Sequence, residues 1–299
     1  MNKHFSRRNF LQTAAISTTA AILPGCAGVA NGHNKDKTLL VNQNPLKIGI
    51  MTYTLAKDWS IETIIKNCTE TGYQSVELRT THAHGIELTL SASERATVKK
   101  RFEDSPLETI SLASAYCYHF PDQAELKKNI EGTKEYVLLA KDVGAKAIRV
   151  FPNTIPKDVP EEKTFEQIGK SLAEVSQFGH DHGVEIRVCV HGVGTDSPGV
   201  MKKIIDYSQN PYVYINWNCN PADTQGGGFE YNFNLLKDRI RGVHMHELWT
   251  PEYPFRLLFK KLSDMNYKGY CLAEVDKSED PIRFMKYYRA LFLAYQNAI

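Results

Sequence analysis

Lys146-Ala147-Ile148-Arg149-Val150-Phe151 and Glu185-Ile186-Arg187-Val188-Cys189-Val190-His191 decide how this chain folds. Both runs are β-branched and alternate apolar with polar side chains, the pattern of a strand. Between them Phe165–His182 carries apolar residues at helical spacing. Strand, helix, strand at this length is a β-α-β unit, which needs parallel strands. Working outward, the same alternation recurs and predicts strands at Lys47–Tyr53, Ser75–Arg79, Glu108–Ala113, Tyr212–Asn218, Arg241–His246 and Tyr270–Val275. Further helices are expected at Ser60–Thr71, Glu125–Val143 and Pro281–Asn297. Eight similar units without a change of composition favour a closed (β/α)8 barrel of the TIM type, an α/β fold, over an open sheet.

In such a barrel alternate strand residues face the helices or the interior. Val76, Leu78, Ile148, Val150, Ile186, Val188, Val190, Val213, Ile215, Val243 and Met245 would face the helices. The other face then carries Glu77, Arg79, Arg149, Arg187, Cys189, His191, Asn216, Asn218, His244, His246 and Glu274. Unpaired charges in a packed interior would cost several kcal/mol each, so these groups must form either a solvated mouth or an internal network. Their concentration toward the strand C-termini favours the mouth, where barrels of this kind hold their sites.

Ser75-Val76-Glu77-Leu78-Arg79 after Gly72-Tyr73, Val188-Cys189-Val190-His191, Val243-His244-Met245-His246-Glu247, and Gly269-Tyr270 followed by Ala273-Glu274 resemble the strand-end motifs of the xylose isomerase-like sugar isomerases and epimerases. The resemblance spans residues 46–299. It implies one divalent metal, zinc or manganese, held by Glu, Asp, His and Glu from strands five to eight, with the two Glu residues shuttling a proton beside a carbonyl. His244 and Glu274 match the last two positions, but Cys189 stands where the first Glu would be and Asn218 where the Asp would be. Pro221 replaces a His that often follows. These exchanges remove two negative charges and weaken the site for a hard ion. Either a softer ion is held by Cys189, His191, His244 and Glu274, or the metal site has decayed and these residues bond to neighbouring groups. Glu274 and His191 are the candidate catalytic residues, and Glu77, Arg79, His82, His84, Arg149, His246 and Glu247 the candidate substrate contacts.

Glu77 and Arg79 are expected to pair with each other, or else to contact sugar hydroxyls together with His82 and His84 on the following loop. Gly226-Gly227-Gly228 lacks the lysine of a phosphate cradle and reads as a flexible loop over the mouth. Trp249 and Tyr253 are candidates for a sugar-stacking wall, whereas Trp217 is expected to pack outward under the helices.

Ser6-Arg7-Arg8-Asn9-Phe10-Leu11 before an Ala/Thr-rich run reaching Leu23 has the layout of a twin-arginine export signal. Leu23-Pro24-Gly25-Cys26 has the form of a lipoprotein processing box, although Pro24 is unusual there. Residues 1–26 are therefore read as signal, 27–45 as a Gly/Asn/Lys-rich tether, and 46–299 as one barrel domain. The expected location is the periplasm, with membrane contact only through a lipid on Cys26. Loss of Lys3, Arg7 and Arg8 lowers the formal charge from +2 to about −1, which does not suggest nucleic acid as a partner. The remaining cysteines are odd in number and lack C-x-x-C spacing, against a disulfide framework or a zinc knot. A small carbohydrate is the expected partner. Three function classes follow: a sugar isomerase or epimerase or related lyase, a non-catalytic carbohydrate-binding lipoprotein, and, disfavoured by export and charge, a metal-dependent endonuclease on the same barrel.

Overall fold

The computed structural model describes residues 42–298. The segment read as an export signal, Cys26 and most of the segment read as a tether lie outside the described residues. Eight strands close into a barrel in sequence order, every neighbouring pair parallel. They are β1 (Lys47–Met51), β2 (Ser75–Arg79), β3 (Thr109–Cys117), β4 (Ala147–Phe151), β5 (Glu185–Cys189), β6 (Val213–Trp217), β7 (Ile240–Met245) and β8 (Tyr270–Ala273). The helices that follow them are α1 (Ile61–Thr71), α2 (Ala92–Glu103), α3 (Gln123–Val143), α4 (Glu161–Asp181), α5 (Pro198–Ser208), α6 (Gly228–Leu236), α7 (Phe255–Asp264) and α8 (Pro281–Ala294). The chain writes several helix starts into its sequence: Ser60 caps α1, Asp122 caps α3, and Ser91 with Glu94 forms a reciprocal capping box at α2.

The expected face assignment holds. Val76, Leu78, Ile148, Val150, Ile186, Val188, Val213, Ile215, Val243 and Met245 are buried in the main hydrophobic core, as is Trp217, which packs on Phe229 and Phe233 of α6. The strands stop earlier than their apolar patterns do. The ladders end at Cys189, Trp217, Met245 and Ala273, so His191, Asn218, His246 and Glu274 sit just beyond them at the mouth. Single backbone bonds still hold this rim, from Val190 N–H to Asn216 O (3.1 Å) and from Glu274 N–H to Met245 O (2.8 Å). In contrast, β3 runs on to Cys117 through an irregular register after Ala113, carrying the chain further into the mouth than its pattern suggested.

Three expectations need correction. Gly226–Gly228 is no loose flap: Gly226 and Gly228 take positive φ to turn the chain into α6, and Phe229, next in line, is buried. Glu77 and Arg79 do not pair; Arg79 is exposed, its guanidinium over the Tyr53 ring, while Glu77 is buried among other partners. Arg187 does not reach the mouth. Its Nε and Nη2 both donate to Glu185 two residues earlier (3.0 and 2.6 Å), and it lines a cavity of about 340 Å³ at the N-terminal end of the barrel with Lys146, Arg241 and Lys268. That cavity is at the end opposite to the one where this fold carries out chemistry.

Candidate active site

The centre of the barrel mouth is His244 of β7. Its Nε2–H donates to Glu77 Oε1 of β2 at 2.9 Å, and its Nδ1–H donates to Glu274 Oε2, next after β8, at 3.2 Å. Neighbouring strands could not make the first contact. It reaches through the barrel interior from β7 to β2, three strands away around the closed sheet. Glu77 also accepts from Ser111 Oγ (3.1 Å), its register partner on β3, and lies 3.9 Å from Arg149 Nε of β4. Glu77, Arg149 and His244 are each 1–2 % exposed, so this is a dry, internally satisfied cluster and not a set of rim charges. Gly242 makes room for the neighbouring Asn216 side chain: a Cβ there would fall 2.4 Å from Asn216 Oδ1.

The charges set one another. Burial pushes the Glu77 carboxyl up, but His244 and Arg149 outweigh that and hold it below its ordinary range. Burial likewise opposes charge on His244, yet Glu77 and Glu274 raise it well above the usual imidazole range. Glu274 is held at about 2, burial being overcome by His244 and Arg149. His191 is shifted the other way, lowered by desolvation with Arg149 adding to it, while Glu274 opposes. The mouth therefore presents a neutral imidazole beside a fixed carboxylate, with cationic side chains beneath.

Arg149 is held in place by Phe151, by Ser114 and, at 3.9 Å, by Glu77. Its guanidinium lies 4.0 Å from the Phe151 ring centroid, Nη1 donates to Ser114 O at 3.2 Å, and its buried Nε has no hydrogen-bond partner. On β5 and β6 the Cys189 thiol donates to Asn218 Oδ1 (3.4 Å) and accepts from Asn216 Nδ2 (3.6 Å), while Asn218 Nδ2 donates to Asn220 Oδ1 (3.0 Å). The structure thus brings together His244, Glu274, Glu77 and Arg149 in one network, to which Cys189, in contact with His244, joins Asn218.

These residues do not fit the divalent ion implied by the resemblance. Both His244 nitrogens donate to carboxylates, the Cys189 thiol and Asn218 amide are bonded to each other, and Glu274 is the one carboxylate left in the set. Among the described residues no group of three or more His, Cys, Asp or Glu side chains is arranged to hold a metal.

The loop histidines do other work. His84 Nε2 bonds Arg79 O (2.8 Å) and Nδ1 accepts from Ile86 N–H (3.1 Å), so both ring nitrogens pin the loop. His82 bonds Thr52 Oγ1 at 3.2 Å and is also buried. His191 is exposed, and His246 and Glu247 are half-buried on the rim. Trp217 Nε1 donates to Tyr253 Oη (2.8 Å), which donates to Asp223 (2.6 Å), so Tyr253 is part of a buried chain of bonds and Trp249 alone of the three aromatics is exposed. Two groups escaped the sequence reading. His119 follows the unexpected extension of β3, with a buried Nδ1 lacking a partner. Asp223, in the 3-10 turn Pro221–Thr224, is pushed up to about 7 by burial, against the Tyr253 hydrogen bond. The apolar-polar alternation through Ser111–Cys117 was the available signal for the first; nothing local marks the second.

A family model described as xylose isomerase-like TIM barrel matches residues 65–288. No curated protein matches the sequence. Among solved structures, an L-ribulose 3-epimerase superposes with a TM-score of 0.71 at 15% identity, covering 85% of this chain and 95% of the other. A D-psicose 3-epimerase from Clostridium cellulolyticum solved with D-tagatose gives 0.70 at 11%, covering 85% and 99%. A 3-keto-D-glucoside 4-epimerase from E. coli gives 0.69 at 16%, covering 83% and 99%. At these identities the likeness is one of fold.

Proposed function

The chain belongs to the xylose isomerase-like TIM-barrel family, and from that premise we propose that it is an enzyme acting on a small unphosphorylated sugar or keto-sugar at its C-terminal mouth, moving a proton at a carbon beside a carbonyl. Isomerase, epimerase and related lyase or hydratase chemistry share that step. The observation that carries the reading is the gathering at one strand-end site of Glu274, 3.2 Å from His244, with Arg149 and His191 against the same Phe151 ring (4.0 and 5.4 Å).

Glu274 at about 2 is a weak base, because an efficient base has a pKa near the working pH. His191 suits the task better. In the proposed step its imidazole takes the proton from the substrate carbon; the C–H bonding pair moves toward the carbonyl carbon and the carbonyl π pair onto oxygen, giving an enediolate. The fixed anion of Glu274 stabilises the imidazolium as it forms, consistent with the upward pull it already exerts on His191. Positive charge at Arg149 and His244 stabilises the oxyanion. Return of the proton to the former carbonyl carbon, with the remaining hydroxyl proton passing to the first oxygen, completes an isomerisation; protonation of the original carbon by water on the opposite face completes an epimerisation, the His191 proton leaving to solvent. Arg79, His246 and Glu247 at the rim are the candidate hydroxyl contacts.

Export by the twin-arginine route and a lipid on Cys26 are part of the proposal, and fit an unphosphorylated substrate. A second reading, a carbohydrate-binding lipoprotein without turnover, is favoured by the weak basicity of Glu274. A melting screen against free sugars and keto-sugars tests the shared premise, since a ligand of the native state raises the midpoint. We expect at least one keto-sugar to do so in the wild type and less in Arg79→Ala; a panel without effect counts against the carbohydrate reading.

A further inference from the structure

We propose that this barrel operates without a resident divalent ion, whose place at the mouth is filled by the chain's own Glu77–His244–Glu274 clamp and by the buried guanidinium of Arg149. Three observations carry it. First, the donors on β5 and β7 that a metal would need are committed to other protein groups, His244 Nε2 to Glu77, His244 Nδ1 to Glu274, and Cys189 to Asn218, which leaves the exposed His191 as the one nitrogen of that set outside the network. Glu77 is decisive, because it comes from β2, outside the strands that the metal set would use, and removes the nitrogen that Glu274 leaves free. Second, the exchanges balance in charge. Cys189 and Asn218, standing where the resemblance implies Glu and Asp, remove two negative charges, as much as a dication brings. Loss of the ion and loss of its two carboxylates together leave the net charge of the site unchanged, so Glu274 is not stranded beside uncompensated acids. Third, a cation is present where electrophilic assistance is needed. Arg149 is 2 % exposed, fixed by Phe151 and Ser114, and keeps a buried Nε without a hydrogen-bond partner. Buried donors are nearly always hydrogen-bonded, so a guanidinium N–H whose ion-pair contact, with Glu77 Oε1, is as long as 3.9 Å keeps capacity for a ligand oxygen.

The metal part of the inference stands apart from the carbohydrate reading; the role of Arg149 rests on it. The experiment separates the two. The purified wild-type chain, dialysed against metal-free buffer, is analysed for metal and titrated with zinc chloride and manganese chloride by calorimetry and melting. We expect less than stoichiometric metal and no rise in midpoint. Cys189→Glu combined with Asn218→Asp restores two charged oxygen donors and should gain zinc binding, tighter by about tenfold or more, because ligand charge sets affinity for such ions. If the double variant does not fold, Asn218→Asp alone carries the comparison. Stoichiometric zinc or manganese in the wild type, lost in Glu274→Gln, would overturn the proposal, as would a double variant that binds metal no better than the wild type. For Arg149, the keto-sugar that stabilises the wild type should fail to stabilise Arg149→Met and partly recover in Arg149→Lys, with metal content unchanged throughout; full stabilisation of Arg149→Met removes Arg149 from the role while leaving the metal result intact.

Discussion

Glu77→Gln tests the barrel-spanning clamp. The substitution keeps shape and one acceptor oxygen, so His244 Nε2–H and Ser111 can still find partners, but the anion between His244 and Arg149 is gone. All three charged groups are at most 2 % exposed, so water cannot replace the lost charge. Removing one member of a buried ion pair costs about 3–5 kcal/mol, because the partner charge is left uncompensated. For a chain of this size each kcal/mol lowers the melting point by about 2–4 °C, so a fall of about 6–20 °C is expected. His244 should relieve part of the loss by giving up its proton, which places the result toward the lower end. Thermal unfolding followed by circular dichroism, with refolding checked, measures it. A midpoint within about 2 °C of the wild type would refute the claim that Glu77 is a charged keystone of the mouth.

Asp223→Asn should alter the pH profile of stability. Its carboxyl is raised from an ordinary 3.8 to about 7, so between those values the folded chain holds a proton that the unfolded chain has lost, and stability falls as pH rises through that window. The full decline is about 4 kcal/mol, and the variant should show a flatter profile in urea midpoints taken at several pH values; parallel profiles would show that Asp223 is not buried as described. Arg7→Lys with Arg8→Lys should hold the precursor in the cytoplasm on fractionation, and unchanged export would discard the twin-arginine reading. Cys26→Ala should release the protein from membranes with its melting point unaltered, whereas continued sedimentation with membranes would mean another anchor.

The strand faces were legible because a period of two is a local property: any β-branched run shows which side chains share a side. The departures at Cys189 and Asn218 were equally local, and they marked the metal site as the element that the resemblance left open. What could not be read is height and distance across the barrel. Arg149 and Arg187 share a face and are register partners, yet Glu185, two residues before Arg187, draws that arginine toward the base. Sequence adjacency offers Arg79 as a partner for Glu77, whereas its true charged partners arrive from β4 and β7 once the sheet closes. His82 and His84 were indistinguishable from solvated loop residues until the backbone groups they bond, such as Arg79 O, were placed. The chain of bonds from Trp217 through Tyr253 to Asp223 joins three distant segments, and no pattern within any one of them announces it.

The central claim is that this mouth moves a proton beside a sugar carbonyl without a bound ion, and exchange with solvent deuterium tests it most directly. Keto-sugars that stabilise the metal-stripped wild-type protein would be incubated with it in deuterium oxide and followed by proton NMR. The account predicts loss of the proton signal at the carbon beside the carbonyl, slowed by orders of magnitude in Glu274→Gln, where the anion that stabilises the His191 imidazolium is gone while the fold persists. No exchange with any stabilising sugar, or undiminished exchange by a folded Glu274→Gln protein, would contradict it.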